Sequence, residues 1–257
     1  MGRGATELFS PEELQIYSLI SRDDGIKARE IARQTGIDKT EISRWMVSSA
    51  LMRELCYQDS EYRWHALVRQ QAPYEGLYEF SGWYGTVREF MAEDEETWLR
   101  ELEEGCRRIG RSLNDTRGLI HSFRDCRQTM RRLFEDLRSM ADLSEDRWEI
   151  AFELRFNLRR MIRIYADVLV ITPEKVFPLE FKMKDKIDPE EVLQAAKYVP
   201  YLEILFGRGK DVFPALVLTG ACELFTYEPI GRTEYVLPVC SGDMLFNVFN
   251  EAMGFLG

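Results

Sequence analysis

The sequence predicts a mixed α/β chain, α+β overall, built in three parts. Three helices and a β-hairpin occupy residues 1–70, a helical hairpin fills 71–145, and an αββαβ core with a mixed sheet spans 146–257. Three observations lead there. At 257 residues the chain fits two or three modules better than one. Apolar residues recur at helical spacing through the first half. From Asp146 the pattern changes, and 161–171, 176–184 and 212–219 read as strands.

Composition narrows the class further. The chain is 45% hydrophobic and 12% aromatic, enough to build cores, which excludes a disordered chain. No apolar run approaches membrane-spanning length and the N-terminus lacks a signal-peptide stretch, so a cytoplasmic protein with no membrane partner is expected. Five scattered cysteines without a C-x-x-C pair, and two histidines, speak against a zinc site or a disulfide framework. The formal charge of −10 lowers the expectation of non-specific DNA binding, but its distribution is uneven. Seven acids and one arginine lie between Glu93 and Glu104, whereas eight arginines and two aspartates follow between Arg107 and Arg132.

In the first part, Ser10-Pro11-Glu12-Glu13 has the form of a capping box with proline at the first helical position. A second helix starts near Lys27, a turn at Gly36-Ile37-Asp38 follows, and a third helix runs from Lys39 to Met52. Ala32, Gly36 and Ile42 hold helix-turn-helix spacing: a small residue for close crossing, a glycine for the turn, an aliphatic residue for packing. Residues 55–58 and 62–65 read as a hairpin around Asp59-Ser60-Glu61. Residues 7–68 resemble a winged helix-turn-helix domain. The resemblance implies that Lys39, Thr40, Ser43 and Arg44 face the major groove if the module reads DNA. The other reading is a protein-interaction module, which 10 basic against 11 acidic side chains over residues 1–70 favours somewhat. His65 is expected to be a packed wing residue.

In the second part, Trp98, Leu102, Cys106, Ile109 and Leu113 form one apolar stripe. Leu119, Phe123, Cys126, Met130, Leu133, Leu137 and Met140 form another in alternating steps of four and three, a heptad seam. A helical hairpin that spaces the end modules and pairs with a second copy is expected, giving a homodimer. Arg124, Arg127, Arg131 and Arg132 on its outer face either track a phosphate backbone or, the favoured reading, pair with the acidic 93–104 segment.

The third part carries the chemistry. Residues 146–158 are expected to form a helix bearing Glu149 and Glu153. Asp167 lies in the first strand, and Glu180 and Lys182, two apart in the next, point to one face. A hairpin register pairing the two strands brings Asp167 close to Glu180. Paired carboxylates make an oxygen-rich site for Mg²⁺ or Mn²⁺, and a neighbouring lysine stabilises charge on a phosphate. Glu153 could add a carboxylate from above the sheet, with Glu149 as the alternative. The other reading of Asp167 and Glu180 is a buried pair satisfied by arginines such as Arg163. Lys182, Lys184 and Lys186 cluster at this edge in a chain of eight lysines against 26 arginines. The other reading of Lys184 and Lys186 is protection of an edge strand.

Asp167-x12-Glu180-Phe181-Lys182 resembles the motif of the PD-(D/E)xK nuclease superfamily, with Ala166 where that pattern has proline. Gln194-x-x-x-Tyr198 on the following helix is similar to the Q-x-x-x-Y motif of its RecB/Cas4-like branch. The resemblance implies a restriction-endonuclease-like core over about residues 146–220. It implies that Asp167, Glu180 and the Phe181 carbonyl hold metal, that Lys182 assists catalysis, and that Gln194 and Tyr198 contact nucleic acid. Glu153, from its place beside the sheet, is expected to assist catalysis, and Lys184, from the lysine cluster, to contact nucleic acid. The expected protein is a Mg²⁺- or Mn²⁺-dependent nuclease acting on DNA rather than RNA and targeted by the winged helix. The competing readings are a regulator with an idle nuclease fold and an adaptor that binds only protein.

Overall fold

The computed structural model describes residues 10–22, 25–49, 52–53, 56–66, 77–111, 116–141, 143, 145–157, 163–206, 210–231 and 235–255. They fall into two units, one built from residues 7–74 with 156–164, the other from 75–155 with 165–257.

The N-terminal unit follows its expected order. Helix α1 (Pro11–Arg22) opens with the expected capping box: the Glu13 N–H donates to Ser10 Oγ and the Ser10 N–H to Glu13 Oε2, at 3.1 and 2.9 Å. Strand β1 (Ile26–Lys27) leads into α2 (Ala28–Thr35). Gly36 ends α2 with φ +74°, a left-handed conformation that glycine adopts without strain, and its N–H closes on the Ala32 carbonyl at 2.9 Å. Asp38 then caps α3 (Lys39–Ser48), shorter than expected, by accepting from the Thr40 N–H. Strands β2 (Cys56–Gln58) and β3 (Arg63–Ala66) form the hairpin, in the sheet order β1-β3-β2. His65 is a packed wing residue, as expected: it is buried, pairs with Asp59 at 2.8 Å and stacks on Tyr57.

The larger unit corrects two sequence-based expectations. Residues 149–157 are a strand, not part of a helix. The middle segment is not a separate spacer either, since it is folded into the same core. Its elements are α4 (Leu77–Phe80), β4 (Trp83–Thr86), α5 (Val87–Ala92), α6 (Glu95–Arg108) and α7 (Thr116–Met140). There follow β5 (Glu149–Asn157), β6 (Arg163–Ile171) and β7 (Lys175–Lys182), then α8 (Pro189–Ala196) and α9 (Val199–Phe206). Strands β8 (Asp211–Val212), β9 (Ala215–Leu218), β10 (Phe225–Pro229) and β11 (Val236–Ser241) precede the last helix, α10 (Leu245–Met253). The sheet order is β10-β11-β9-β7-β6-β5-β4, with β8 paired to β7 off that path. It is mixed as expected: β7 pairs β6 antiparallel and β9 parallel. The order around the site is therefore α-β-β-β-α-β, with α7 as its first helix.

Helix α7 covers the sheet. Phe123, Cys126, Met130, Leu133 and Leu137 of the heptad seam are buried in one cluster with Val168, Val170, Phe177 and Leu179 of the central strands. The apolar face that suggested pairing with a second copy is thus filled by this chain's own sheet. Met140 is exposed, and the side chains of Leu113 and Leu119 lie outside the described residues. The arginines also differ from a simple outer face. Arg124 pairs with Glu95 at 2.9 Å, as the favoured reading had it. Arg127 instead turns inward, buried over the rings of Phe90 and Trp98, and Arg131 donates to the Met91 carbonyl. Helix α6 packs so closely on the turn before β4 that a Cβ on Gly105 would lie 1.8 Å from the Gly82 carbonyl oxygen.

Candidate active site

The site grows from the register of two strands. Val168 faces Leu179 across the β6–β7 ladder, which sets Asp167 opposite Glu180, as the sequence suggested. The Phe181 N–H donates to Asp167 Oδ2 at 2.8 Å, tying the carboxylate to the neighbouring strand. Every residue from Val176 to Phe181 is buried, Glu180 among them at 1% exposure. A carboxylate that deep in an apolar strand needs strong partners.

Glu180 has three. Lys182 Nζ and Gln194 Nε2 both donate to Oε1 at 2.6 Å. The Tyr198 hydroxyl lies 2.7 Å from Oε2 and 2.8 Å from the Tyr165 carbonyl, so its single proton serves one of the two acceptors. Local structure delivers these groups. Asp188 caps α8 by accepting from the Glu190 N–H, with Pro189 at the first helical position, and this aims Gln194 at β7. The helix then turns at Lys197 and restarts at Val199, where Pro200 fits the first turn, and the fully packed Tyr198 falls at the break. Gly220 locks the chain after Lys182, because a Cβ there would lie 2.7 Å from the Lys184 backbone. Gln194 and Tyr198, singled out by their resemblance to a Q-x-x-x-Y motif, thus meet on Glu180.

Glu153 arrives from β5 rather than from a helix. It is buried at 3% exposure and holds φ +53°, a strained backbone for a residue with a Cβ. Its Oε2 lies 2.9 Å from Arg111 Nε, and the Arg111 guanidinium sits over the Tyr165 ring. Arg111 is the site residue the sequence did not single out, since nothing in its spacing sets it apart from the arginines around it. Glu149, the alternative, is on the same strand but accepts from the Tyr84 hydroxyl. The side chain of Arg163 lies outside the described residues.

The electrostatics are those of crowded acids. Burial, then repulsion from Glu180 and Glu153, pushes the Asp167 carboxyl well above its ordinary range against the pull of the Phe181 N–H. Burial raises Glu153 to about 7, with Arg111 opposing and Glu180 adding to the rise. For Lys182, burial would favour the neutral amine, but the Glu180 carboxylate outweighs it and the net shift is upward. Lys182 is therefore a firm cation at neutral pH.

No family model matches the chain. Nor does any curated protein. Among solved structures it is similar to protein VC1899 from Vibrio cholerae, at 12% identity and a TM-score of 0.28. The alignment covers 98% of this chain and 52% of the other, so this chain spans about half that protein's length. A likeness that distant says nothing about chemistry here.

Of the remaining predicted site residues, Phe181 joins this cluster through its N–H alone, and the others fall outside it. Lys184 pairs with Glu191 at 2.7 Å and Asp188 at 3.5 Å, which engages its charge within the chain. Phe181 buries its ring, and its backbone faces Val217 in the ladder. Lys39, Thr40, Ser43 and Arg44 are all exposed on α3 of the other unit.

Do these residues suit a divalent cation? Asp167, Glu180 and Glu153 are oxygen donors of the type hard cations take, and among the described residues these three carboxylates face two cations, Lys182 and Arg111. The donor chemistry therefore fits Mg²⁺ or Mn²⁺. Among the described residues, no three His, Cys, Asp or Glu side chains are drawn together into a ready cage.

Proposed function

We propose that the protein is a Mg²⁺- or Mn²⁺-dependent nuclease that hydrolyses phosphodiester bonds in DNA. One observation carries the reading: Lys182, Gln194 and Tyr198 converge on Glu180 while Asp167 stands opposite it. Asp167 and Glu180 would hold the cation, which when bound neutralises the scissile phosphate and activates water. The chain's own residues do the rest. Lys182, held protonated by Glu180, presents positive charge to the phosphate where charge builds in the transition state. Glu153, at about 7, can hold or release a proton near neutral pH. Gln194 and Tyr198 fix the rotamer of Glu180 so that its oxygens stay aimed at one point.

A second reading is a nucleic-acid-binding protein whose site is chemically idle. It is favoured by the same contacts, because both Glu180 oxygens are already engaged and Asp167 already accepts a backbone N–H. Incubation with single- and double-stranded DNA and RNA, in Mg²⁺, Mn²⁺ or EDTA, separates the two. The nuclease cuts at least one DNA substrate in a divalent cation and none in EDTA; the idle fold cuts nothing.

A further inference from the structure

Among the described residues, the basic side chains of the N-terminal unit are not concentrated on α3. On that helix Lys39 and Arg44 are answered by Asp38, which caps it, and by Glu41, 4.0 Å from Arg44. The exposed face expected to enter a major groove is close to neutral. Elsewhere in the unit a groove of about 870 Å³ is lined, among the described residues, by Lys27, Arg29, Arg33 and Arg63 with a single carboxylate, Glu30.

Two features of this groove are unfavourable on their own. Lys27 and Arg63 are direct cross-strand partners in the β1–β3 ladder, and like charges directly opposite each other repel. Arg29 and Arg33 are one turn apart on α2, the helical version of the same conflict. Glu30 offsets Arg33 at 2.6 Å, and Glu61 offsets Arg63 at 3.2 Å. Lys27 and Arg29 are exposed around the same groove. Cations placed against one another in both a ladder and a helix are relieved when an anion lies among them. The lining is too charged for an apolar small molecule, whose pockets are mostly hydrophobic.

We infer that this groove binds the phosphate backbone of nucleic acid, so that the module grips its ligand through α2 and the β1–β3 edge rather than through α3. The choice of nucleic acid among polyanions rests on the proposed function. The cation arrangement stands without it.

The test uses the 257-residue chain carrying Glu180→Gln, in EDTA, so that binding is read without cleavage. Fluorescence anisotropy follows a short labelled duplex and its single strand over a range of salt. Lys27→Glu/Arg29→Glu is expected to weaken binding about tenfold or more and to flatten the salt dependence by about two phosphate contacts. Lys39→Glu/Arg44→Glu is expected to change it less than about threefold. All four side chains are exposed, and circular dichroism checks that both variants fold. Equal loss in the two variants, or a larger loss on α3, overturns the assignment. So does unchanged binding by the groove variant, or capture of phosphatidylserine vesicles in place of nucleic acid. A protein that binds as expected yet cuts nothing with Glu180 restored would defeat the nuclease reading and leave this one standing.

Discussion

Replacing Glu153 with glutamine should stabilise the protein, although it removes the partner of Arg111. The folded carboxyl titrates at about 7 against an ordinary value of 4.5, because burial disfavours its charged form. The folded chain therefore keeps this proton to higher pH than the unfolded chain does. Stability from this group is complete below about pH 4.5 and is lost as pH rises towards 7, the sign for a raised carboxylate. At 1.36 kcal/mol per pH unit, the ionised side chain costs the folded state about 3 kcal/mol at pH 8. Glutamine has the same shape and cannot ionise, so Glu153→Gln is expected to gain about 1–3 kcal/mol at pH 8 and almost nothing at pH 4.5. Urea unfolding in EDTA, followed by tryptophan fluorescence, measures this, because Trp83, Trp98 and Trp148 are buried in the same unit as Glu153. A variant less stable than wild type at pH 8, or one with the wild-type pH slope, would refute the reasoning.

Other consequences follow from single contacts. Tyr198→Phe removes the hydroxyl beside Glu180 and should cost about 1–2 kcal/mol of stability. If Tyr198 also orients Glu180, cleavage should fall well beyond what the lost stability explains. Met130→Ala is expected to cost about 2–5 kcal/mol in thermal or urea melts, since Met130 is fully buried against the sheet; a negligible cost would return α7 to the role of spacer. Gly105→Ala drives a Cβ into the Gly82 carbonyl and should lower stability by about 3 kcal/mol or more. A soluble Gly105→Ala protein with a wild-type melting temperature would show that α6 does not pack on β4 as described.

The site was largely readable from sequence where its signals are local. Asp167, Glu180 and Lys182 could be placed because strand period and hairpin register are fixed over a few residues, and a turn at 172–174 pins that register. Gln194 and Tyr198 could be placed because they resemble a Q-x-x-x-Y motif, although the helix breaks between them. Strand β5 was misread because it is buried on both sides: Ile150, Ala151, Phe152, Glu153 and Leu154 are all covered, which erases the alternation that marks a half-buried strand. The seam on α7 was legible as apolar, but periodicity cannot say whether a second helix or a sheet covers it. Strand β4 has four residues and two nearby glycines, too little pattern to register. Pro200 and Pro214 were the missed punctuation, the first marking the restart of a helix and the second dividing β8 from β9. Arg111 depends wholly on tertiary placement, and no local signal could have found it.

The most direct measurement is cleavage of labelled DNA in Mn²⁺ by wild type, Glu180→Gln and Lys182→Ala, each checked for folding and run beside an EDTA control. Metal-dependent cutting by wild type that drops at least about a hundredfold in both variants is the expected result. Equal cutting by all three, or none by wild type on any nucleic acid, would contradict a catalytic role for the Glu180 cluster.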